Sequence, residues 1–462
     1  MTIWIPMASE IADLAFLLAA AAIAYFGVER SSLERKQKDL LFGAMLLSVL
    51  AKVLLANLGH NYDLESYRIV SDIQEQGQSV YASTTRYNYG PIWAWIVSGF
   101  GHLASADMGE RMHMWIAAFL GMVDVLIAVV LLRAYSLTAA LVFVLSPVGL
   151  LISGYHSQFD NLAVLLGLLA WLLIREGKPN PRAFLLSAVC LGLSLIVKHV
   201  LFLFPLWMVF WRPLGKLRNR ILYALIAYGM FACAFLPWLF DPLSRAGILR
   251  SVLGYSSGLG FSWVGYIIDL FPHPEWQLVS PWVPSITDTS WISAIKLVWM
   301  AVLAASGVIL ARKGVRELYL FYLLLLYAST PSLANQYEAI PLVACAVFWS
   351  RPEGWSVQAA ATFADFMSPT NLGPLLQQAV LYATLPSFLS PYFMDKVIEV
   401  GYPLLLSASQ FCAAMLLLKL WRQREATPDA PPLARGIWQA AYPIVLGGVP
   451  AAIKIARVLW AQ

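Results

Sequence analysis

Residues 40–68 read LLFGAMLLSVLAKVLLANLGHNYDLESYR, and this stretch places the chain in lipid. It opens on an apolar run close to the roughly 20 residues that cross a hydrocarbon core. The run stops at Leu58, and Asp63, Glu65 and Arg68 follow at once. A crossing helix therefore ends on a charged segment at the membrane border. The whole chain has the same balance. Of 462 residues, 60% are hydrophobic and 12% charged, against about 25% charged in soluble globular proteins. Mean hydropathy is +0.69. That composition excludes a soluble globule and a disordered chain. The net charge of +5 is small and gives no nucleic-acid signal; it fits Lys and Arg held at a cytoplasmic face. The four cysteines, Cys190, Cys233, Cys345 and Cys412, stand singly in apolar runs. They form no zinc spacing or disulfide framework.

Apolar spans are expected at 11–28 (a retained helix, with no signal-peptide flanks), 40–58, 113–132, 137–153, 160–174, 183–198, 199–211, 221–240, 291–311, 317–330 and 338–350. Weaker candidates lie near 374–392, 403–420 and 437–457. Several are shorter than a full crossing, so tilted, broken or fused helices are expected. The expected fold is an all-α polytopic membrane protein with about 11–13 transmembrane helices, built as a single integral membrane domain over 1–462.

Basic loops set the orientation. Arg30, Arg35, Lys36 and Lys38 form one cluster, and Arg175, Lys178 and Arg182 a second. Arg212, Lys216, Arg218 and Arg220 form a third, Arg312, Lys313 and Arg316 a fourth, and Lys419, Arg422 and Arg424 a fifth. With these in the cytoplasm, 59–112, 154–159, 241–290 and 331–337 are outer loops. Both flanks of 91–105 are then outside. That stretch reads as an interfacial helix anchored by Trp93 and Trp95. The 241–290 loop is too long for an idle connection, and 425–436 is a polar connector.

Polar residues at membrane depth are costly, so each is a functional candidate. Four groups gather on the outer side. In the first, Asp63 and Tyr67 share a helical face. A carboxylate at this border is able to take a proton from a hydroxyl; a solvated loop acid or N-cap is the ordinary alternative. The second is Tyr87-Asn88-Tyr89-Gly90-Pro91, aromatic rings before a Gly-Pro turn that suit a sugar or an aromatic belt. The third is Tyr155-His156-Ser157-Gln158-Phe159-Asp160-Asn161, in which His156 and Asp160 fall on one helical face. Donors and acceptors this dense suit carbohydrate. The fourth joins Lys198-His199, Arg245, Arg250 and Glu338. Guanidinium and ammonium groups suit a phosphate, and snorkelling toward headgroups is the plain alternative for each alone. No Walker loop, GxGxxG, HExxH or GxSxG follows the element that would give it meaning, and no DxD pair is present. A cytosolic nucleotide-sugar enzyme is thereby disfavoured, and a donor would arrive in the membrane.

These residues resemble the GT-C glycosyltransferases, above all the dolichyl-phosphate-glucose-dependent glucosyltransferases of asparagine-linked glycosylation. The family's outer-loop motif of Asp, aromatic, Glu, two variable residues and Arg is similar to Asp63-Leu64-Glu65-Ser66-Tyr67-Arg68, with Leu64 for the aromatic. Its Tyr-Pro-Pro-Leu resembles Tyr89-Gly90-Pro91-Ile92, its His-Gly-His-Phe-Gln resembles His156-Ser157-Gln158-Phe159-Asp160, and its Phe-Lys-Gln resembles Val197-Lys198-His199. A late His-Glu-Lys-Ala-Ile element resembles Tyr337-Glu338-Ala339-Ile340 without its Lys. The likeness spans roughly residues 40–345.

The resemblance implies a GT-C fold and an inverting transfer of glucose or mannose from a polyprenyl-phosphate carrier. The acceptor hydroxyl would belong to a lipid-linked or surface glycan. Asp63 would be the catalytic base, worth roughly 10²–10⁴-fold. Lys198, His199, Arg245 or Arg250 would hold the phosphate. Glu65, Arg68, Tyr89, His156, Gln158, Asp160 and Glu338 would bind substrate. No metal or cofactor beyond the lipid-linked donor is required. A bacterial inner membrane and undecaprenyl phosphate are expected, or the endoplasmic reticulum in a eukaryote, with the site extracytoplasmic. The rivals are a transporter or flippase, which would carry coupling charges at mid-membrane, and a non-catalytic subunit of an assembly complex.

Overall fold

A computed structural model describes residues 4–104, 110–254, 262, 289–333, 335–349, 352–367 and 391–422. Among them there is no strand; the fold is all-α. The expected spans near 374–392 (to residue 390) and 437–457, the connector 425–436 and most of the loop 241–290 lie outside the described residues. The chain divides into two compact units. The first holds Met1–Leu145, Gly149–Tyr255 and Gly307–Tyr319; the second holds Ser146–Val148, Ser256–Ser306 and Leu320–Gln462.

In the first unit the helices are α1 (Trp4–Glu29), α2 (Arg35–Asn57), α3 (Tyr62–Glu75), α4 (Val80–Ser83), α5 (Pro91–Ala104), α6 (Glu110–Ala134) and α7 (Leu137–Val144). There follow α8 (Pro147–Leu150, of which Pro147 and Val148 belong to the second unit), a π-helical turn Leu151–Tyr155, α9 (Asp160–Leu172), α10 (Pro181–Val197), α11 (Phe204–Phe210), α12 (Leu217–Cys233), α13 (Leu236–Leu239) and α14 (Pro242–Gly247). Helix α6 is mostly apolar and sits inside. It packs on α1, α2, α5, α7 and α9 and buries Trp115, Ile116, Leu120, Val125, Ile127 and Leu131. Helix α2 is apolar on its outside as well. Leu40, Leu47, Leu50 and Leu54 form one exposed stripe. Such a stripe is a liability in water and an ordinary surface in lipid.

Five helical stretches among the described residues are long and apolar enough to cross a membrane: Ala12–Glu29, Arg35–Asn57, Arg111–Ala134, Ala294–Arg312 and Leu404–Trp421. Counting each bent pair as one span gives up to seven. The protein is a multi-pass integral membrane protein. Other expected spans are short: α9 has 13 residues and Leu318–Ser329 has 12. The segments 137–153 and 183–211 are bent pairs of helices, and the second turns back on itself, since Lys178 before it and Pro213 after it are hydrogen-bonded. The first bends by 49° between α7 and Pro147, and the second by 119° after Val197. Lys198, with φ −154° and ψ 127°, is extended there and ends α10.

The α9–α10 hairpin positions the site. Two antiparallel helices joined by a short loop bring the start of one beside the end of the other. Asp160 opens α9 and Lys198 caps α10, so an acid lies at a helix N-terminus and a cation at a C-terminus, each favoured by the helix dipole. The other end of the hairpin carries Arg175, Lys178 and Arg182. That end gathers three of the basic clusters. Lys178 N–H donates to the Pro213 carbonyl at 2.8 Å, Arg175 approaches Glu317 at 3.9 Å, and Arg316 approaches Glu176 at 3.8 Å.

Helix α5 has 14 residues, about 21 Å at 1.5 Å per residue and shorter than a hydrocarbon core of about 30 Å. It lies on α3, α6 and α10. Trp93 is fully buried and stacks on Phe159 at 4.0 Å, so it is core, and only Trp95 is exposed. Their two-residue spacing sends them to opposite sides of one helix.

In the second unit, Pro352–Met367 packs along Pro391–Arg422. Small buried residues, Ala360, Ala361 and Ala364 facing a helix with Ala408, Cys412 and Ala413, allow the close approach. Gln410 donates to the Tyr327 and Thr330 carbonyls at 2.8 and 2.7 Å. The helix 352–367 falls between expected spans; its PEGWSVQAAATFADFM sequence is too mixed to announce a buried helix by hydropathy.

Candidate active site

Asn61 starts the site. It N-caps α3, its side-chain oxygen accepting from Asp63 N–H at 3.0 Å. Its Nδ2 donates to Asp63 Oδ2 at 3.1 Å and to His156 Nδ1. The cap is therefore Asn61, and the Asp63 carboxylate is left for other work. Gln158 Nε2 also donates to Asp63 Oδ2, at 2.5 Å. Two amides thus hold one oxygen. The other, Oδ1, has no hydrogen-bond partner among the described residues, and the side chain is only half-buried.

Gln158 faces both ways. Its Oε1 accepts from Lys198 Nζ at 3.4 Å, and Lys198 Nζ meets Asp160 Oδ2 at 2.6 Å. Both members of this ion pair are buried. Asp160 Oδ1 is buried without a hydrogen bond. Aromatic faces cover the ammonium: Lys198 Nζ lies 5.2 Å from the Tyr89 ring centre and 5.0 Å from that of Phe159, cation–π distances. A close approach sets Tyr89 there. A Cβ at Gly90 would collide with the Ile196 carbonyl oxygen at the end of α10. Tyr87 is buried, donating to Gly90 O at 2.6 Å and accepting from Ala94 N–H at 2.8 Å. It supports the turn and does not face a ligand.

Burial pushes the Asp63 carboxyl above its ordinary range. The Lys198 charge and the amides of Asn61 and Gln158 work against that rise, and the Asp160 charge adds to it. His156 is pulled down to about 3 by burial and by the neighbouring His113. It is neutral at physiological pH, and with Nδ1 accepting from Asn61 its proton sits on Nε2.

His156 and Asp160 do not share a helical face, contrary to the sequence expectation. His156 caps the π-helical turn, Ser157 is left-handed at φ 54°, and α9 begins only at Asp160. The structure joins Asp63, Gln158, Asp160, Lys198, Tyr89 and His156. His199 follows Lys198 on a one-turn 3-10 helix, with Nδ1 buried and unbonded. Glu65 and Arg68 pair with each other at 3.4 Å at the surface. Arg245 and Arg250 are exposed on 242–253, and no contact among the described residues joins them to Lys198. They stand five residues apart on a segment that also exposes Leu243, Leu249 and Leu253, a pattern that suits a membrane interface. Glu338 is buried on the 3-10 helix Asn335–Ala339 of the second unit. Among the described residues no group of three His, Cys, Asp or Glu is placed to hold a metal ion.

A second polar cluster escaped the sequence reading. Lys52 on α2 pairs with Asp124 on α6 at 3.1 Å, both buried within crossing helices. Lys52 also donates to Ser48 Oγ at 2.8 Å, and Asn161 Nδ2 donates to Asp124 Oδ1 at 2.8 Å. The signal was present: a Lys and an Asp each standing inside an apolar run.

No protein-family model and no curated relative matches the sequence. A solved structure to which the chain is similar is ArnT from Cupriavidus metallidurans bound to undecaprenyl phosphate, at 14% identity over 89% of this chain and 76% of that chain, with a TM-score of 0.43. At that level the likeness assigns neither fold nor activity to this chain.

Proposed function

We propose that the chain is an inverting, GT-C-type glycosyltransferase that moves a hexose, glucose or mannose, from a polyprenyl-phosphate carrier to an acceptor hydroxyl on the extracytoplasmic face. One observation carries this reading. The Asp63 carboxylate has one oxygen fixed by Asn61 and Gln158 and the other open, and Gln158 links it to Lys198. Oδ1 takes the proton of the acceptor hydroxyl. The acceptor oxygen forms its bond to the anomeric carbon as the bond to the carrier phosphate breaks, and polyprenyl phosphate leaves from the opposite side. Lys198, oriented by Asp160, offsets charge on the departing phosphate. Positioning supplies much of the remaining rate. The basic clusters at the far end of the hairpin support an outer location, because such loops stay in the cytoplasm.

The test incubates purified protein with a panel of polyprenyl-phosphate hexoses and measures released polyprenyl phosphate. Release that Asp63→Asn abolishes is expected. Turnover by Asp63→Asn near that of the natural protein would reject the role of Asp63.

The Lys52–Asp124 pair favours a second reading, a transporter, since such proteins hold charges inside their spans. Uptake of a lipid-linked sugar into proteoliposomes without any sugar transfer would select it.

A further inference from the structure

The loop His156–Phe159 places Gln158 between Asp63 and Lys198, yet it has an awkward backbone. Ser157, a residue with a Cβ, sits at φ 54°, a conformation that persists only where its surroundings impose it. The loop is held at both ends by one buried cluster. On the leading side, the π-helical turn Leu151–Tyr155 packs on α2. There Gly154 lies so close that a Cβ would come within 2.9 Å of Lys52 Cα. His113 on α6 reaches the Gly154 carbonyl at 3.1 Å. On the trailing side, Asn161 donates to Asp124 Oδ1 at 2.8 Å and to the Leu120 carbonyl at 3.0 Å. Lys52 and Asp124 join the two sides through their ion pair, 3.1 Å long with side chains 1% and 4% exposed.

We infer that Lys52, Asp124 and Asn161 are positioning residues: their buried cluster clamps both ends of the loop 156–159 and so holds Gln158 and Asp160 in register with Asp63 and Lys198. None of the three touches substrate in the proposed reaction. A buried ion pair is weak evidence for stability, because well-packed apolar residues of similar size often serve as well. A geometric duty accounts for its presence here. The inference rests on the proposed transfer only for its catalytic consequence; the clamp itself is a statement about the loop.

Two measurements test it on the full-length purified protein. The first is hydrogen exchange of the peptide covering 153–161 in Asn161→Ala and in the double variant Lys52→Met, Asp124→Leu. Exchange faster by on the order of tenfold, confined to that peptide, is expected. Exchange indistinguishable from the natural protein in Asn161→Ala, a change mild enough to fold, overturns the clamp. The second is the pH profile of sugar transfer. A loosened loop withdraws the Gln158 amide from Asp63, so the acid limb of kcat/KM moves to higher pH and kcat falls by on the order of ten- to a hundredfold. Profiles that superimpose after scaling overturn the link to the site. A protein that transfers no sugar while 153–161 still exchanges faster in the variants sinks the proposed function and leaves the clamp standing.

Discussion

Asp63 is governed by how strongly it holds a proton. Removing a carboxylate from water favours its neutral form, and amide donors and a nearby ammonium favour the charged form. Burial wins here, so the pKa rises, toward the pH at which a general base works best. Only the deprotonated carboxylate accepts a proton. Transfer should therefore increase with pH along an acid limb lying above the ordinary Asp value of about 3.9. Gln158→Leu removes a donor to the charged form and should move that limb further up; a rate profile over pH, with an unmoved limb in the variant, would contradict this account of the base. Asp63→Asn keeps the shape and should cost roughly 10²–10⁴-fold in kcat, read from single-turnover transfer. At Lys198 the issue is burial of charge. Lys198→Met leaves Asp160 charged, buried and alone, which costs about 3–5 kcal/mol. Lys198→Met combined with Asp160→Leu should recover most of that loss in thermal unfolding while remaining inactive. Equal stability of the single and double variants would argue against the pair.

Two helix junctions make these contacts possible. The α5 turn meets the end of α10 at Gly90, where only a hydrogen fits against the Ile196 carbonyl. Gly90→Ala forces the two helices apart at a cost of about 1–3 kcal/mol. It also lifts Tyr89 from Lys198. Lower melting temperature together with weaker binding of the lipid donor is expected, and a variant that melts and binds as the natural protein does would remove this junction from the account. The second junction is the start of α3. Asn61→Ala costs about 0.5–2 kcal/mol as a lost cap and also frees Asp63 from one of its two donors. Asn61→Ser should recover the cap without the amide bonds to Asp63 and His156. Stability restored without activity is the expected split.

For the molecule as a whole, the decisive matter is which side the site faces. The α9–α10 hairpin puts Asp160 and Lys198 at one end and Arg175, Lys178 and Arg182 at the other. If the basic loops are retained inside, the proposed site would open outward. In a cysteine-free background, Ser83→Cys on the exposed edge of α4 should react with an impermeant maleimide in intact cells. Lys216→Cys, exposed in the basic loop before α12, should react only after permeabilisation. The reverse labelling pattern would turn the protein over and exclude an extracytoplasmic donor.

Partition into lipid depends on local composition, so apolar runs and their charged ends, such as the one at Asp63, could be read along the chain. Rotation of a helix about its axis could not. It sends Trp93 to the core and Trp95 to the surface, and it turns Lys52 and Asp124, 72 residues apart, toward each other. Loop conformation was equally hidden. A helical face through His156 and Asp160 assumed regular backbone where Ser157 is left-handed. Gln158 meets Asp63 across 95 residues. Local chemistry decides what a segment dissolves in. Which polar atoms meet is decided by packing of helices distant in sequence, because a buried charge or amide settles only where a partner from another element completes it.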